Sequence, residues 1–117
     1  MSARQRKVAG RAAPLRGSAI LFAALGDETR LHIVARLSAR GSLSIARLTA
    51  GTGVTRQAVT KHLQVLAGAG LVRDRRVGRE RVWDLEPAQV AAARRSLDRI
   101  SAEWDHALGQ LQKLVER

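Results

Sequence analysis

The sequence contains no cysteine. Disulfides, thiolate metal sites and a cysteine nucleophile are excluded together, and the chain suits a reducing cytoplasm. Tyrosine is absent as well, and the only aromatic residues are Phe22, Trp83 and Trp104. Proteins that grip single-stranded nucleic acid stack bases on several aromatic platforms; with so few here, duplex DNA is the better-matched polyanion. No apolar run approaches the roughly 18 residues that a membrane-spanning helix requires. The basic start, Met1–Gly17, is not followed by a signal-peptide core, because Asp27 and Arg30 come soon after the short run Ala19–Leu25. Acidic residues are missing altogether from residues 29–73.

Positive charge is plentiful but unevenly spread. The 117 residues carry a formal net charge of +11. Residues 1–73 hold twelve Lys/Arg against Asp27 and Glu28, whereas residues 74–117 hold nine against eight acids, so almost all of the excess lies in the first part. A long basic segment without acids suits a polyanion, because each phosphate it neutralises releases counterions. The apolar fraction of 45% is enough for one core, and the length suits one compact domain with an arm and an extra helix.

The order of elements follows from caps and periodicity. Met1–Gly17, with five basic residues, Pro14 and no apolar period, reads as a disordered basic arm. Ser18 is a candidate cap for a short helix Ala19–Leu25, and Asp27 for a helix over Glu28–Ala39 whose buried stripe is Leu31, Ile33, Val34 and Leu37. Gly41 follows where a positive φ is wanted. Ser44 starts a short helix, Ile45–Ala50, with Ile45 and Leu48 facing inward. Gly51-Thr52-Gly53 is a turn, and Thr55 caps a helix running to about Ala69, with Val54 and Val59 at the positions of a hydrophobic staple. Two helices joined by a tight glycine-containing turn make a helix-turn-helix. From Leu71 the period changes. Leu71–Arg76 and Glu80–Leu85 read as strands around a Val77-Gly78-Arg79 tip, and a basic hairpin directly after a helix-turn-helix is a wing. Pro87 opens a last helix that can run to Val115. In it Val90, Ala93, Leu97, Ile100, Trp104, Ala107, Leu111 and Leu114 alternate at spacings of three and four, an a/d seam of more than three heptads.

The fold class is therefore mainly α with a small β-hairpin: a winged helix-turn-helix domain with a long C-terminal dimerisation helix. The expected organisation is a basic arm (1–17), a DNA-binding domain (18–86) and a dimerisation helix (87–117). The upper part of the last helix is expected to pack on the domain and its lower part on a partner. The candidate dimer interface is Leu97, Ile100, Trp104, Ala107, Leu108, Leu111 and Leu114, together with Phe22.

On the Thr55–Ala69 helix, Val59, Leu63 and Leu66 share one side and Gln57, Thr60, Lys61 and Gln64 the other. The outward set is polar or basic and free of acids. Glutamine matches the donor–acceptor edge of adenine, lysine matches guanine or phosphate, and threonine can take either or touch a thymine methyl. Thr55 and Arg56 stand at the helix start, where backbone N–H groups and the dipole favour phosphate. Arg75, Arg76, Arg79 and Arg81 supply candidate wing contacts. Strand alternation divides them between faces, and Asp74, Glu80 and Asp84 can pair with some of them.

These segments resemble the ArsR/SmtB family of bacterial winged-helix repressors. LFAALGDETRLHIVARL (21–37) is similar to the family's opening helix pair. LSIARLTAGTGVTRQAVTKHLQVLAGAGLV (43–72) is similar to its helix-turn-helix, RDRRVGRERVWDL (73–85) to its wing, and the last helix to its dimerisation helix. The likeness spans about residues 18–115, and Arg56-Gln57-Ala58-Val59 most resembles members that lack metal sites. It implies a cytoplasmic bacterial protein whose homodimer binds an inverted-repeat operator and represses its own operon until an inducer, unidentified here, releases it. It also implies base or phosphate contacts in the major groove for Thr55, Arg56, Gln57, Thr60, Lys61 and Gln64, the two reading helices about one DNA turn apart.

Metal-sensing relatives use cysteines in the first helix of the helix-turn-helix, or Asp/His/Glu pairs in the last helix. Ser44–Ala50 offers only hydroxyls, and the last helix offers Asp98, Asp105 and His106 without a second histidine, short of the ligand set that zinc needs. No metal and no cofactor are expected. His62 on the flank of the reading helix and His32 are read as packing or hydrogen-bonding residues. An enzyme is not expected: Gly51-Thr52-Gly53 lacks a phosphate-loop lysine, and nothing in the sequence gathers Ser, His and Asp into one site. Two other readings stay open at this point, a protein-interaction module and a nonspecific architectural DNA-binding protein.

Overall fold

Apolar residues at helical spacing, punctuated by capping side chains, produce a chain of short helices. The computed structural model describes residues 17–116. Helix α1 occupies residues 17–25, followed by α2 (Glu28–Arg40), β1 (Leu43–Ser44), α3 (Ile45–Ala50), α4 (Arg56–Gly68), β2 (Val72–Val77), β3 (Glu80–Leu85) and α5 (Pro87–Val115). Three N-caps are as the sequence predicts. Asp27 accepts from Arg30 N–H, Ser44 from Arg47 N–H and Thr55 from Ala58 N–H, each satisfying an otherwise orphaned donor and contributing about 1 kcal/mol. The predicted basic arm, Met1–Gly17, lies outside the described residues except for residue 17, which is already helical.

The core lies where α1, α2, α3 and α4 meet the sheet. Ile33, Leu48, Val59, Leu63, Leu66 and Leu71 are almost wholly buried there, each side chain contributing about 1.5–3 kcal/mol by leaving water. Leu63 and Leu66 come from the inward side of α4, so packing fixes which side of that helix faces out. The end of α4 is closed by Leu71 N–H to Leu66 C=O at 3.0 Å and Gly70 N–H to Ala67 C=O at 2.9 Å. That reversal needs a left-handed residue, which glycine supplies at φ +76°, and it aims the chain straight into β2.

Four local expectations are corrected. The sheet has three antiparallel strands in the order β1-β3-β2, not a bare hairpin. Leu43 pairs with Trp83 and Ser44 with Val82; a two-residue strand has no alternation by which a sequence could announce it. The hairpin tip is the two-residue turn Gly78-Arg79, because Val77 still pairs with Glu80. Leu31 is 52% exposed, so the buried stripe of α2 is Ile33 and Leu37 with Val34 half-buried. Ser18 does not cap α1 but sits inside it, buried, its Oγ 2.5 Å from Ser96 Oγ on α5.

Helix α5 divides as the sequence predicts at its upper end. Ala93 and Ser96 are buried against the domain. Beyond them Leu97, Ile100, Trp104, Leu108, Leu111 and Leu114 are all exposed, Trp104 at 65%. Twenty-nine residues of helix span about 43 Å at 1.5 Å per residue, well beyond what the small core can cover.

Candidate nucleic-acid interface

The turn between α3 and α4 is held by one arginine. Arg36 of α2 donates through Nη1 to Leu48 C=O and through Nη2 to Arg47 C=O, both at 2.8 Å, satisfying carbonyls that the short α3 leaves open. A Cβ on Gly51 would stand 2.9 Å from that guanidinium nitrogen, so any larger residue there would have to push the Arg36 head aside. The turn delivers Thr55 to the head of α4 with its hydroxyl oxygen accepting from Ala58 N–H at 3.1 Å, leaving the hydroxyl proton to donate outward.

The outward side of α4 is where the sequence predicts it. Arg56, Gln57, Lys61 and Gln64 are exposed and Thr60 is half-buried. The Thr60 hydroxyl donates back to Arg56 C=O at 2.9 Å, so outward it offers its methyl group and acceptor lone pairs. No acidic residue lies on α4. An anion approaching this side meets neutral amides and two cations with no carboxylate from the helix to repel it.

The four wing arginines are sorted by the hairpin. Arg75 Nε lies 2.8 Å from Asp84 Oδ2, and its Nη2 donates to Ser42 Oγ at 3.0 Å. Ser42 in turn donates to the other oxygen of Asp84. The Ser42 hydroxyl and then the Arg75 guanidinium hold the Asp84 carboxyl below the usual carboxylate range. The tie therefore contributes fully above that range and is lost only as the pH falls through the lowered value beneath it. Arg81 pairs with Asp74 at 2.9 Å. Among the described residues Arg76 and Arg79 have no ion pair. Arg76 stands opposite Arg81 in the β2–β3 ladder, a like-charge pairing that Asp74 relieves on one side. The strand pattern could foretell such a division but not which arginines fall on which side of it.

Two features escaped the sequence reading. One is Ser42, which ties the wing together although it precedes β1 by one residue. The other joins three helices. Arg30 at the start of α2 donates through Nε to Ala24 C=O at 2.5 Å and through Nη2 to Ala23 C=O at 3.5 Å, and its Nη1 lies 3.3 Å from His62 Nδ1 on α4. No spacing rule brings residues 30 and 62 together.

A second surface flanks this one. An open groove of about 830 Å³ is lined by Ile20 and Leu21 of α1, Ala69, and Ala92, Arg95 and Ser96 of α5, on another side of α5 from its exposed apolar seam. Phe22 is half-buried against the core. The large apolar side chain that α1 leaves open is Ile20, 59% exposed. No group of three His, Asp or Glu is placed to hold a metal ion among the described residues. None of their helices is long and apolar enough to cross a membrane.

Comparison with known proteins gives this geometry a context. A helix-turn-helix domain family model matches residues 25–75. The HTH-type transcriptional regulator Rv2034 of Mycobacterium tuberculosis is 44% identical over 93 residues, covering 80% of this chain and 83% of that protein. Among solved structures, an ArsR-like transcriptional regulator from Rhodococcus sp. RHA1 superposes with a TM-score of 0.71 at 39% identity, covering 86% of this chain and 93% of that one. A winged helix-turn-helix DNA-binding domain from Mycobacterium bovis, determined in solution as a homodimer, superposes with a TM-score of 0.63 at 29% identity, covering 88% of each chain.

Proposed function

From a chain that belongs to the ArsR/SmtB family of helix-turn-helix transcriptional regulators, we propose a sequence-specific homodimeric repressor of its own operon, released by a nonmetal signal. The acid-free outward side of α4, fixed by the burial of Val59, Leu63 and Leu66 behind it, carries this reading. Gln57, Lys61 and Gln64 reach base edges in the major groove, while Thr55, Arg56 and the first-turn N–H groups of α4 hold phosphate. Residues 18–86 read DNA and residues 87–117 pair the protomers. Leu97, Ile100, Trp104, Ala107, Leu108, Leu111 and Leu114 meet their counterparts on a second copy, with Ile20 and the open edge of Phe22 at the margin. The homodimeric state of the Mycobacterium bovis domain supports this pairing. A two-fold arrangement places two α4 helices on successive major grooves and requires an operator with inverted repeats. The protein acts in the cytoplasm, where the chromosome is, and needs no cofactor. The lack of cysteine removes thiolate ligands from any metal-sensing site.

Fluorescence anisotropy tests this, comparing DNA from the promoter region of its own gene with a scrambled duplex at two salt concentrations. Preference for the promoter that survives the higher salt is expected. Equal binding that collapses with salt would mark a nonspecific architectural protein instead.

The wing gives a separate expectation. Changing Arg76 and Arg79 together to alanine removes the two wing arginines that have no carboxylate partner among the described residues. Affinity should fall on every duplex, and the slope of log affinity against log salt should lessen by about 1–2 per protomer, with operator preference kept. An unchanged salt slope would place these side chains off the DNA.

A further inference from the structure

The reading helix is held from behind by a side-chain cluster that joins α1, α2 and α4. Arg30 is the hub. Its Nε and Nη2 hold the last carbonyls of α1, and its backbone N–H donates to Asp27 Oδ1 at 3.0 Å, capping α2. Its remaining nitrogen, Nη1, points to His62 Nδ1 on α4 at 3.3 Å. A guanidinium only donates, so this contact exists when Nδ1 carries a lone pair and the ring proton sits on Nε2. His62 is mostly buried, its side chain 23% exposed, and Asp27 Oδ1 lies 3.9 Å from the same Nδ1.

We propose that Arg30 positions the reading helix α4 through His62, so that protonating this imidazole loosens α4 and lowers its discrimination between operator and other DNA. A proton on Nδ1 removes the acceptor and sets a second cation against the guanidinium. The imidazolium then turns to Asp27. That carboxylate stays ionised because the Arg30 backbone N–H holds it below its usual range. Nδ1 stands between the two groups, 3.3 Å from Arg30 Nη1 and 3.9 Å from Asp27 Oδ1; a protonated Nδ1 can only donate, so it meets the carboxylate and gives up the guanidinium. Histidine is the side chain whose charge ordinarily changes between about pH 5 and 8.

The charged surroundings leave these two partners to decide the matter. Helices α2 and α3 and strand β2 pack against α4. From α2 the groups facing His62 are Asp27 and Arg30, with Glu28 exposed beside them. The one ionisable residue of α3 is Arg47. In β2, Arg73 is engaged by Glu86, Asp74 by Arg81 and Arg75 by Asp84, and Arg76 is exposed. Among the described residues, none of these α3 and β2 groups, nor Glu28, has a hydrogen bond or ion pair with His62. Residues 17–25 of α1 bring no ionisable side chain. On α4 itself, Lys61 adjoins His62 but is exposed.

This inference rests on α4 being the DNA-reading helix, so its test has one arm without DNA. The full chain and a His62→Gln variant are compared at pH 8 and pH 5.5. Glutamine offers Arg30 an uncharged acceptor at every pH, and His32 and His106 are common to both proteins, so the difference between the two isolates His62. In the DNA-free arm, amide hydrogen exchange across α4 should match at pH 8 and be faster in the wild type at pH 5.5. In the DNA arm, the ratio of promoter to scrambled affinity should fall about tenfold in the wild type, the effect of one charge-assisted hydrogen bond, and stay level in the variant. Identical exchange in the two proteins at both pH values would overturn the proposal. If neither protein prefers its promoter even at pH 8, the DNA-reading assignment fails while the exchange data still decide the Arg30–His62 contact.

Discussion

Trp104→Asp is expected to turn the protein into a monomer that no longer holds its operator. Trp104 is 65% exposed and sits midway along an apolar row from Leu97 to Leu114 that the domain does not cover. If a second copy covers that row, each large side chain gains about 1.5–3 kcal/mol by leaving water. A carboxylate at its centre must instead be desolvated without a partner, at a cost of several kcal/mol. Because the change occurs once in each protomer, the penalty is met twice across one interface. Light scattering should report half the wild-type mass. Circular dichroism should retain the helical content of the domain, because Trp104 makes no part of the core. Operator affinity should fall by about 10²-fold or more, because joining two half-site contacts through one dimer supplies an effective concentration that separate monomers lack. A dimer of unchanged mass would remove α5 from the interface and turn attention to the groove between α1 and α5.

How much of this was legible beforehand depended on the range of the interaction. The caps Asp27, Ser44 and Thr55 each act on an amide three residues ahead, and all three were readable. So were the inward side of α4 and the seam of α5, since both are periodic along one helix. Contacts between distant elements were not readable. Ser18 has the side chain and position of a cap, yet tertiary packing extends α1 through it and presses it against Ser96. Leu31 fits the apolar period of α2 as well as Ile33 does, but the stripe is wider than the surface available to cover it. Ser42, one residue before a two-residue strand, ties Arg75 to Asp84 because β1 pairs with β3. Sequence could state that the wing arginines divide; only the register shows that Arg75 and Arg81 are the paired ones. The candidate reading face was therefore legible, while the cluster that holds it from behind was not.

Replacing both Gln57 and Lys61 with alanine should abolish operator preference while leaving the dimer and the fold intact. The two are four residues apart on one exposed side of α4, and neither has a hydrogen bond or ion pair with another described side chain, so truncation takes nothing from the core. Alanine also has the higher helix propensity, and thermal stability should hold or rise slightly. Each well-formed base contact is worth about 1–3 kcal/mol of discrimination. Losing two in each half of a symmetric site should reduce the ratio of operator to scrambled affinity by about 10³-fold, close to the whole margin of many specific binders. Residual binding should be governed by salt, because Arg56, Arg76, Arg79 and the first turn of α4 would still be available to phosphate. Anisotropy on both duplexes measures the ratio directly, and the pattern of loss is more telling than its size. Lys61 alone should cost affinity on both duplexes if it meets phosphate, and on the operator alone if it meets guanine. A double variant that still discriminates would move the reading surface off α4, and the wing would then be the next place to look.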